Sequence, residues 1–186
     1  MFKSIYYYID KFDKDEIDKL DKLISIIYRN YSNKISEKEI KYLVDFCKSQ
    51  RRKVYISNNL KLALKFNFDG IYIPAFNKTL KYENIYKRNF EIIGSAHNIK
   101  EVLNKEKQGC NKIFLCPIFR TKKNKYSLGV TKFNLIKLHT KKDVIPLGGI
   151  NENNVKKINL CGAKCVGAIS WIKKTAQVKI LGRFKF

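Results

Sequence analysis

The chain has 186 residues, 45% hydrophobic and 13% aromatic, with 9 Gly and 3 Pro. That is enough apolar material for one sizeable core, and the wrong composition for intrinsic disorder, collagen or a coiled coil. It carries 39 Lys and Arg against 16 Asp and Glu, a formal charge of +23, which excludes a balanced, partner-neutral surface and points to anionic ligands.

The first apolar run, Ser4–Ile9, stops at Asp10. It lacks a small-residue cleavage site, so no signal peptide is expected. Further runs of about five residues follow at a near-constant interval: Ile24–Tyr28, Lys53–Ser57, Gly70–Pro74, Glu91–Ser95, Lys112–Cys116, Asp143–Leu147 and Cys165–Ile169. Each is rich in Ile, Val, Tyr or Phe, as strands buried on both faces are.

Between the runs lie polar stretches with apolar residues three and four apart. Ser36–Gln50 places Ile40, Leu43, Val44 and Cys47 on one stripe, and Ser36 with Glu39 reads as a capping box. Asn98–Gln108 and Asn151–Leu160 repeat the pattern with Asn as N-cap, and Gly109 and Gly162 mark helix ends. Phe76–Arg88 is barely helical in pattern. Eight alternations predict parallel strands joined by right-handed crossovers, an α/β (β/α)8 TIM barrel over residues 1–186 as one domain. At about 23 residues per unit the outer helices must be shortened. An open doubly wound sheet is the alternative.

In such a barrel the chemistry sits at the C-terminal strand ends. After the seventh strand come Gly148 and Gly149 and then a helix start; after the eighth comes Ser170. Two glycines before a helix leave backbone N–H groups for an anion, and these two loops are the recurrent phosphate site of the fold. After the fifth strand come Ser95 and His97; an imidazole at the barrel mouth moves protons near neutral pH. The loop Pro117–Gly129 after the sixth strand is the longest and holds Arg120, Lys122, Lys123 and Lys125. It reads either as a cationic lid or as a solvated loop. Paired carboxylates are missing at the strand ends, so no metal ligand is assigned. Cys161 and Cys165 read as core thiols, and Cys116 has no neighbouring His in the sequence.

Arg occurs only at positions 29, 51, 52, 88, 120 and 183, so 33 of the 39 cations are Lys, spread along the chain. Base-reading surfaces favour Arg forks. A nucleic-acid partner is therefore disfavoured against a small phosphate-bearing substrate. No apolar run reaches the roughly 20 residues of a membrane span, so no membrane partner is expected. An odd count of 5 Cys fits a reducing, cytoplasmic compartment. Apolar surface left bare by short helices would be covered in a homodimer.

Together these pieces resemble the thiamine-phosphate synthase/TenI family. Phe68–Pro74 is similar to A-D-G-V-H-L-G, Ile92–His97 to I-G-x-S-x-H, and Cys116–Thr121 to G-P-V-F-x-T. Leu147–Ile150 matches the G-G-I turn, and Gly162–Ile172 resembles G-A-x-G-V-A-V-I-S-A-I. The resemblance implies a thiazole phosphate held at Gly148, Gly149 and Ser170. It also implies one of two activities: joining a pyrimidine diphosphate to the thiazole phosphate with Mg²⁺ held by carboxylates, or a metal-independent thiazole tautomerisation. In the second, His97 is the proton-transfer residue, with Ser95 beside it. Of the synthase motif Q-x-R-x-K only Arg29 remains, and of T-x-T-K only Thr121, with Lys123 among the cations offered to a diphosphate. The two metal-binding acids fall on Asn58 and Asn77. Because Mg²⁺ binds through carboxylates and phosphate oxygens, the sequence favours the tautomerase without a cofactor, with the Mg²⁺-dependent synthase as alternative. A further alternative is a non-catalytic basic phosphate- or nucleic-acid-binding protein.

Overall fold

The structure is a computed structural model that describes residues 2–32, 36–80, 82, 85, 89–122 and 125–172. Eight strands alternate with helices: β1 (Ser4–Ile9), α1 (Lys14–Asp18), β2 (Ile24–Tyr28), α2 (Glu37–Ser49), β3 (Val54–Ser57), α3 (Leu60–Lys65), β4 (Gly70–Ile73), β5 (Glu91–Ala96), α4 (Ile99–Lys107), β6 (Lys112–Leu115), α5 (Gly129–Lys137), β7 (Asp143–Pro146), a 3-10 helix (Val155–Cys161) and β8 (Cys165–Gly167). All pairings are parallel, in the order β7-β6-β5-β4-β3-β2-β1-β8. One further parallel bridge, Leu147 to Gly167, brings β7 to β8 and nearly closes the barrel. The TIM-barrel expectation is met and the open sheet is not.

Alternation along each strand sorts the side chains into two cores. One face packs against the helices, where the α2 stripe of Ile40, Leu43, Val44 and Cys47 is buried. The other face fills the barrel with Tyr6, Tyr8, Ile27, Tyr55, Tyr72, Ile93, Phe114, Ile145 and Leu147. Its rings meet edge-on or tilted, with Tyr6 and Phe114 5.2 Å apart and Tyr8 and Tyr72 5.4 Å apart, the arrangement that aromatic quadrupoles favour. Small residues make room: a side chain at Gly167 would meet Phe114 and Leu147 within 2.9 Å. The N-terminal end of the barrel is plugged by Glu91, which accepts from Lys112 at 2.5 Å and from Lys53.

The caps agree in part. Ser36 accepts from the Glu39 amide, but the Glu39 carboxylate turns away to Phe12 N at 2.7 Å, so the reciprocal half of the capping box is absent. Asn98 caps α4, and Gly109 and Gly162 take φ of 78° and 55° as helix stops. Asn151 does not cap a helix. Its side chain closes a turn onto Asn153 N, and a 3-10 helix begins only at Val155. Between β4 and β5 the described residues form no helix. The segment after β4 is instead pinned by two buried side chains at the end of α4, Lys105 and the C-cap Gln108. Lys105 donates to Pro74 O at 2.8 Å and Asn77 O at 2.7 Å, while Gln108 donates to Asn77 O and Thr79 O. Gly94 admits the Lys105 stem, since a Cβ there would lie 2.8 Å from Lys105 Cδ.

Candidate functional site

The C-terminal mouth of the barrel collects most of the residues singled out above. The Gly148–Gly149 turn leaves β7 with φ of 94° and 71°. It is held beneath the β6 loop: Ile118 N donates to Leu147 O at 2.9 Å and Phe119 N to Gly148 O at 3.1 Å. A side chain at Gly149 would begin 2.3 Å from Phe119 O and 2.5 Å from Arg120 O. Only glycine fits both the conformation and the approach. Asn154 donates to Gly149 O at 2.8 Å from the other side. Among the described residues the Gly148 and Gly149 N–H groups meet no acceptor, as an anion cradle requires. Ser170 is exposed at the start of a helical turn just past β8, and the Leu147–Gly167 bridge sets the two strand ends side by side.

Ser95 is buried in the β5 wall, its Oγ 3.8 Å from Cys116 Sγ. The Tyr72 hydroxyl interacts with Ser95 on one side and Tyr8 on the other, and burial pushes its pKa up. His97 lies one step further out, at the rim. Its Nδ1 is 2.9 Å from Glu101 Oε2, which also accepts from the His97 backbone N–H at 2.8 Å. The ring pKa is raised to about 9: its hydrogen bond with Cys116 is the largest cause, burial opposes it, and Glu101 adds to it. The imidazole is therefore a cation near neutral pH. Arg29 is half-buried, its guanidinium 4.7 Å from the Tyr8 ring centroid in a cation–π contact. Thr121 is half-buried on the β6 loop. Lys123 lies outside the described residues.

Asn58 and Asn77 come together. Asn77 Nδ2 donates to Asn58 Oδ1 at 2.5 Å and to Tyr82 OH at 3.1 Å, and Asn77 Oδ1 accepts from Thr79 N. Asn58 holds φ 58°, a conformation Asn tolerates. Each amide oxygen thus already accepts a hydrogen bond within the protein, and neither residue offers a charge. The described residues include no cluster of three or more His, Cys, Asp or Glu that could hold a metal. This donor set does not fit the Mg²⁺ that the resemblance implies.

A profile described as "Thiamine monophosphate synthase" matches residues 20–172. The chain belongs to that family. A thiamine-phosphate synthase from Prochlorococcus marinus is 34% identical over 79% of this chain and 45% of its own length. One from Clostridium acetobutylicum is 30% identical over 70% of this chain and 64% of its own length. The chain thus spans about half the length of the curated relatives it matches. A thiamine phosphate pyrophosphorylase structure from Pyrococcus furiosus superposes with a TM-score of 0.74 over 94% of this chain and 92% of the other, at 18% identity, which speaks for the fold alone. These relatives carry the synthase name, so the preference for a tautomerase gains no support from them. No helix among the described residues is long and apolar enough to cross a membrane.

Sequence reasoning missed two partnerships at this barrel mouth. The Cys116 thiol does have a histidine neighbour, because β5 and β6 pair side by side. Glu101 orients His97, and this one was readable: the two are four residues apart at a helix start.

Proposed function

We propose that the chain performs the synthase reaction its relatives' name describes, joining a pyrimidine diphosphate to a thiazole phosphate with release of diphosphate. The observation that carries this reading is the Gly148–Gly149 turn, whose two N–H groups lack an acceptor among the described residues and whose shape is locked by the Phe119 and Arg120 carbonyls. The thiazole phosphate sits there and against Ser170. Arg29 and Thr121 face the diphosphate-bearing substrate, Lys123 is a further cation offered to it by the sequence, and the His97 cation adds positive charge at the rim. Since the Asn58–Asn77 pair does not suit Mg²⁺, the leaving diphosphate is neutralised by protein cations, with Arg120 and Lys122 on the β6 loop joining the set.

The same amide pair favours a second reading, metal-independent thiazole tautomerisation with His97 moving the proton. One assay separates them. Thiazole phosphate and pyrimidine diphosphate are supplied at near-physiological salt, with and without Mg²⁺, and thiamine phosphate is read as its fluorescent oxidation product. Product formed at equal rates with and without Mg²⁺ supports the synthase working through protein cations. No product, beside a working synthase control, overturns it and leaves the tautomerase to be assayed on thiazole carboxylate phosphate. There, His97→Ala should lower the rate by about 10² to 10⁴.

A further inference from the structure

Lys105 is 1% exposed, the one buried lysine among the described residues. Its stem crosses β5 over Gly94, where a Cβ would lie 2.9 Å from Lys105 Cγ and 2.8 Å from Cδ. Its ammonium ends among three oxygens: Pro74 O at 2.8 Å, Asn77 O at 2.7 Å and Gln108 Oε1 at 2.7 Å. Three acceptors use all three of its N–H groups. None of them is a carboxylate, and burial pushes the Lys105 pKa down to about 8, with Cys110 and Glu101 opposing. Burying a cation without a counter-charge is costly, and a methionine of similar length would fill the channel without that cost. What the ammonium adds is direction, because it holds three oxygens at once.

Asn77 is where that direction arrives. Its carbonyl accepts from Lys105 and, at 3.0 Å, from Gln108 Nε2, and its own backbone N–H donates to Pro74 O at 3.1 Å. Its side chain then donates to Asn58 Oδ1 at 2.5 Å and Tyr82 OH at 3.1 Å. Asn58 is fixed independently, since its backbone N–H donates to Tyr72 O of β4 at 2.9 Å. Asn77 belongs to no helix or strand. The amide pair at the mouth is therefore held from behind, by side chains from the end of α4.

We propose that Lys105 is a positioning residue for the barrel mouth. It holds the Asn77 amide against Asn58 and so shapes the side of the mouth that receives the diphosphate-bearing substrate, while the Gly148–Gly149 turn binds its phosphate independently. Placing that substrate beside the amide pair rests on the synthase reading; the hold on Asn77 rests on the contacts alone.

The test compares the unmutated protein with Lys105→Met. The Asn77 side-chain amide is followed by nitrogen–proton NMR, its signal assigned by its loss in Asn77→Asp. Affinities for pyrimidine diphosphate and for thiazole phosphate are read by calorimetry. In Lys105→Met the Asn77 amide protons are expected to exchange with water about tenfold faster, as local opening becomes easier. Pyrimidine diphosphate is expected to bind about tenfold more weakly, as it would to a mouth correctly arranged about a tenth of the time, with thiazole phosphate affinity unchanged. A general loss of structure would weaken both ligands alike. An unchanged Asn77 signal overturns the proposal. So does a changed signal with pyrimidine diphosphate affinity unmoved, or with both ligands weakened equally. If the unmutated protein binds no pyrimidine diphosphate, the synthase reading fails, and the Asn77 signal alone decides whether Lys105 holds Asn77. If Lys105→Met does not fold, Gln108→Met replaces it with the same expected directions, because it removes the second donor to Asn77 O and one acceptor of Lys105.

Discussion

Replacing Gly149 by Ala separates two contributions that usually arrive together. The first is conformational: φ is 71°, and an L side chain in the left-handed region costs about 1–2 kcal/mol. The second is steric. The new Cβ would lie 2.3 Å from Phe119 O and 2.5 Å from Arg120 O, where ordinary contact begins near 3.4 Å, so the β6 loop must retreat by about 1 Å. Forced overpacking of this kind costs about 1–3 kcal/mol. Gly129 supplies the internal control. Its φ is 68°, but nothing lies within 4 Å of its Cβ position, so Gly129→Ala carries the conformational cost alone. Thermal unfolding should therefore show Gly149→Ala below Gly129→Ala by about 3–9 °C, taking about 3 °C per kcal/mol at this chain length. Retreat of the β6 loop also disturbs the turn whose N–H groups form the cradle. Losing one charge-assisted hydrogen bond of about 1.5–3 kcal/mol lowers phosphate affinity by about 10- to 100-fold, read by calorimetry with thiazole phosphate. Equal melting temperatures for the two variants, together with unchanged phosphate affinity, would refute the packing argument and the cradle at once.

Gly94→Ala pushes a Cβ to 2.8 Å from both Cys110 Sγ and Lys105 Cδ; a loss of about 1–3 kcal/mol is expected in urea unfolding, with earlier proteolysis in the 74–80 segment that Lys105 pins. Burial pushes the Glu91 carboxyl up, but Lys112 and Lys53 outweigh it and hold the group below its ordinary 4.5. A depressed folded value contributes stability that is present above 4.5 and lost as pH falls through the lower folded value. Glu91→Gln should therefore lower the melting temperature at neutral pH and flatten the acid limb below pH 4.5; an unchanged acid limb would count against the plug. The double change Asn58→Asp and Asn77→Asp restores two carboxylates at adjacent positions, so millimolar Mg²⁺ should raise the melting temperature of that variant and leave the parent unmoved, as a fluorescence melt would show.

The strands were the most legible part of this sequence, for a physical reason. Each is buried on both faces, so its apolar run is continuous and its ends fall where burial ends; β1 and β2 lie where the runs Ser4–Ile9 and Ile24–Tyr28 placed them. Helix N-termini were less legible, because a capping side chain answers to tertiary neighbours too. Glu39 is drawn off by Phe12 N, and Asn154, not Asn151, organises the entry to the 3-10 helix. At the site, individual residues could be placed at strand ends by register alone. Their pairings could not, since Cys116 with His97 and Asn58 with Asn77 meet across neighbouring strands, 19 residues apart in each case. Only the His97–Glu101 contact was local enough to read.

The barrel's joint between its seventh and eighth staves has a mechanical meaning. β8 is three residues long and meets β7 through a single bridge, whereas β1 and β2 share five paired residues. That joint is where the ring is thinnest, and amide protons along it should exchange with deuterium sooner than those of β1 to β6. An anion spanning Gly149 and Ser170 would straddle the same joint and clasp it from above. Substrate and barrel would then tighten each other, so the protein's slowest-exchanging form and its occupied form would be one and the same.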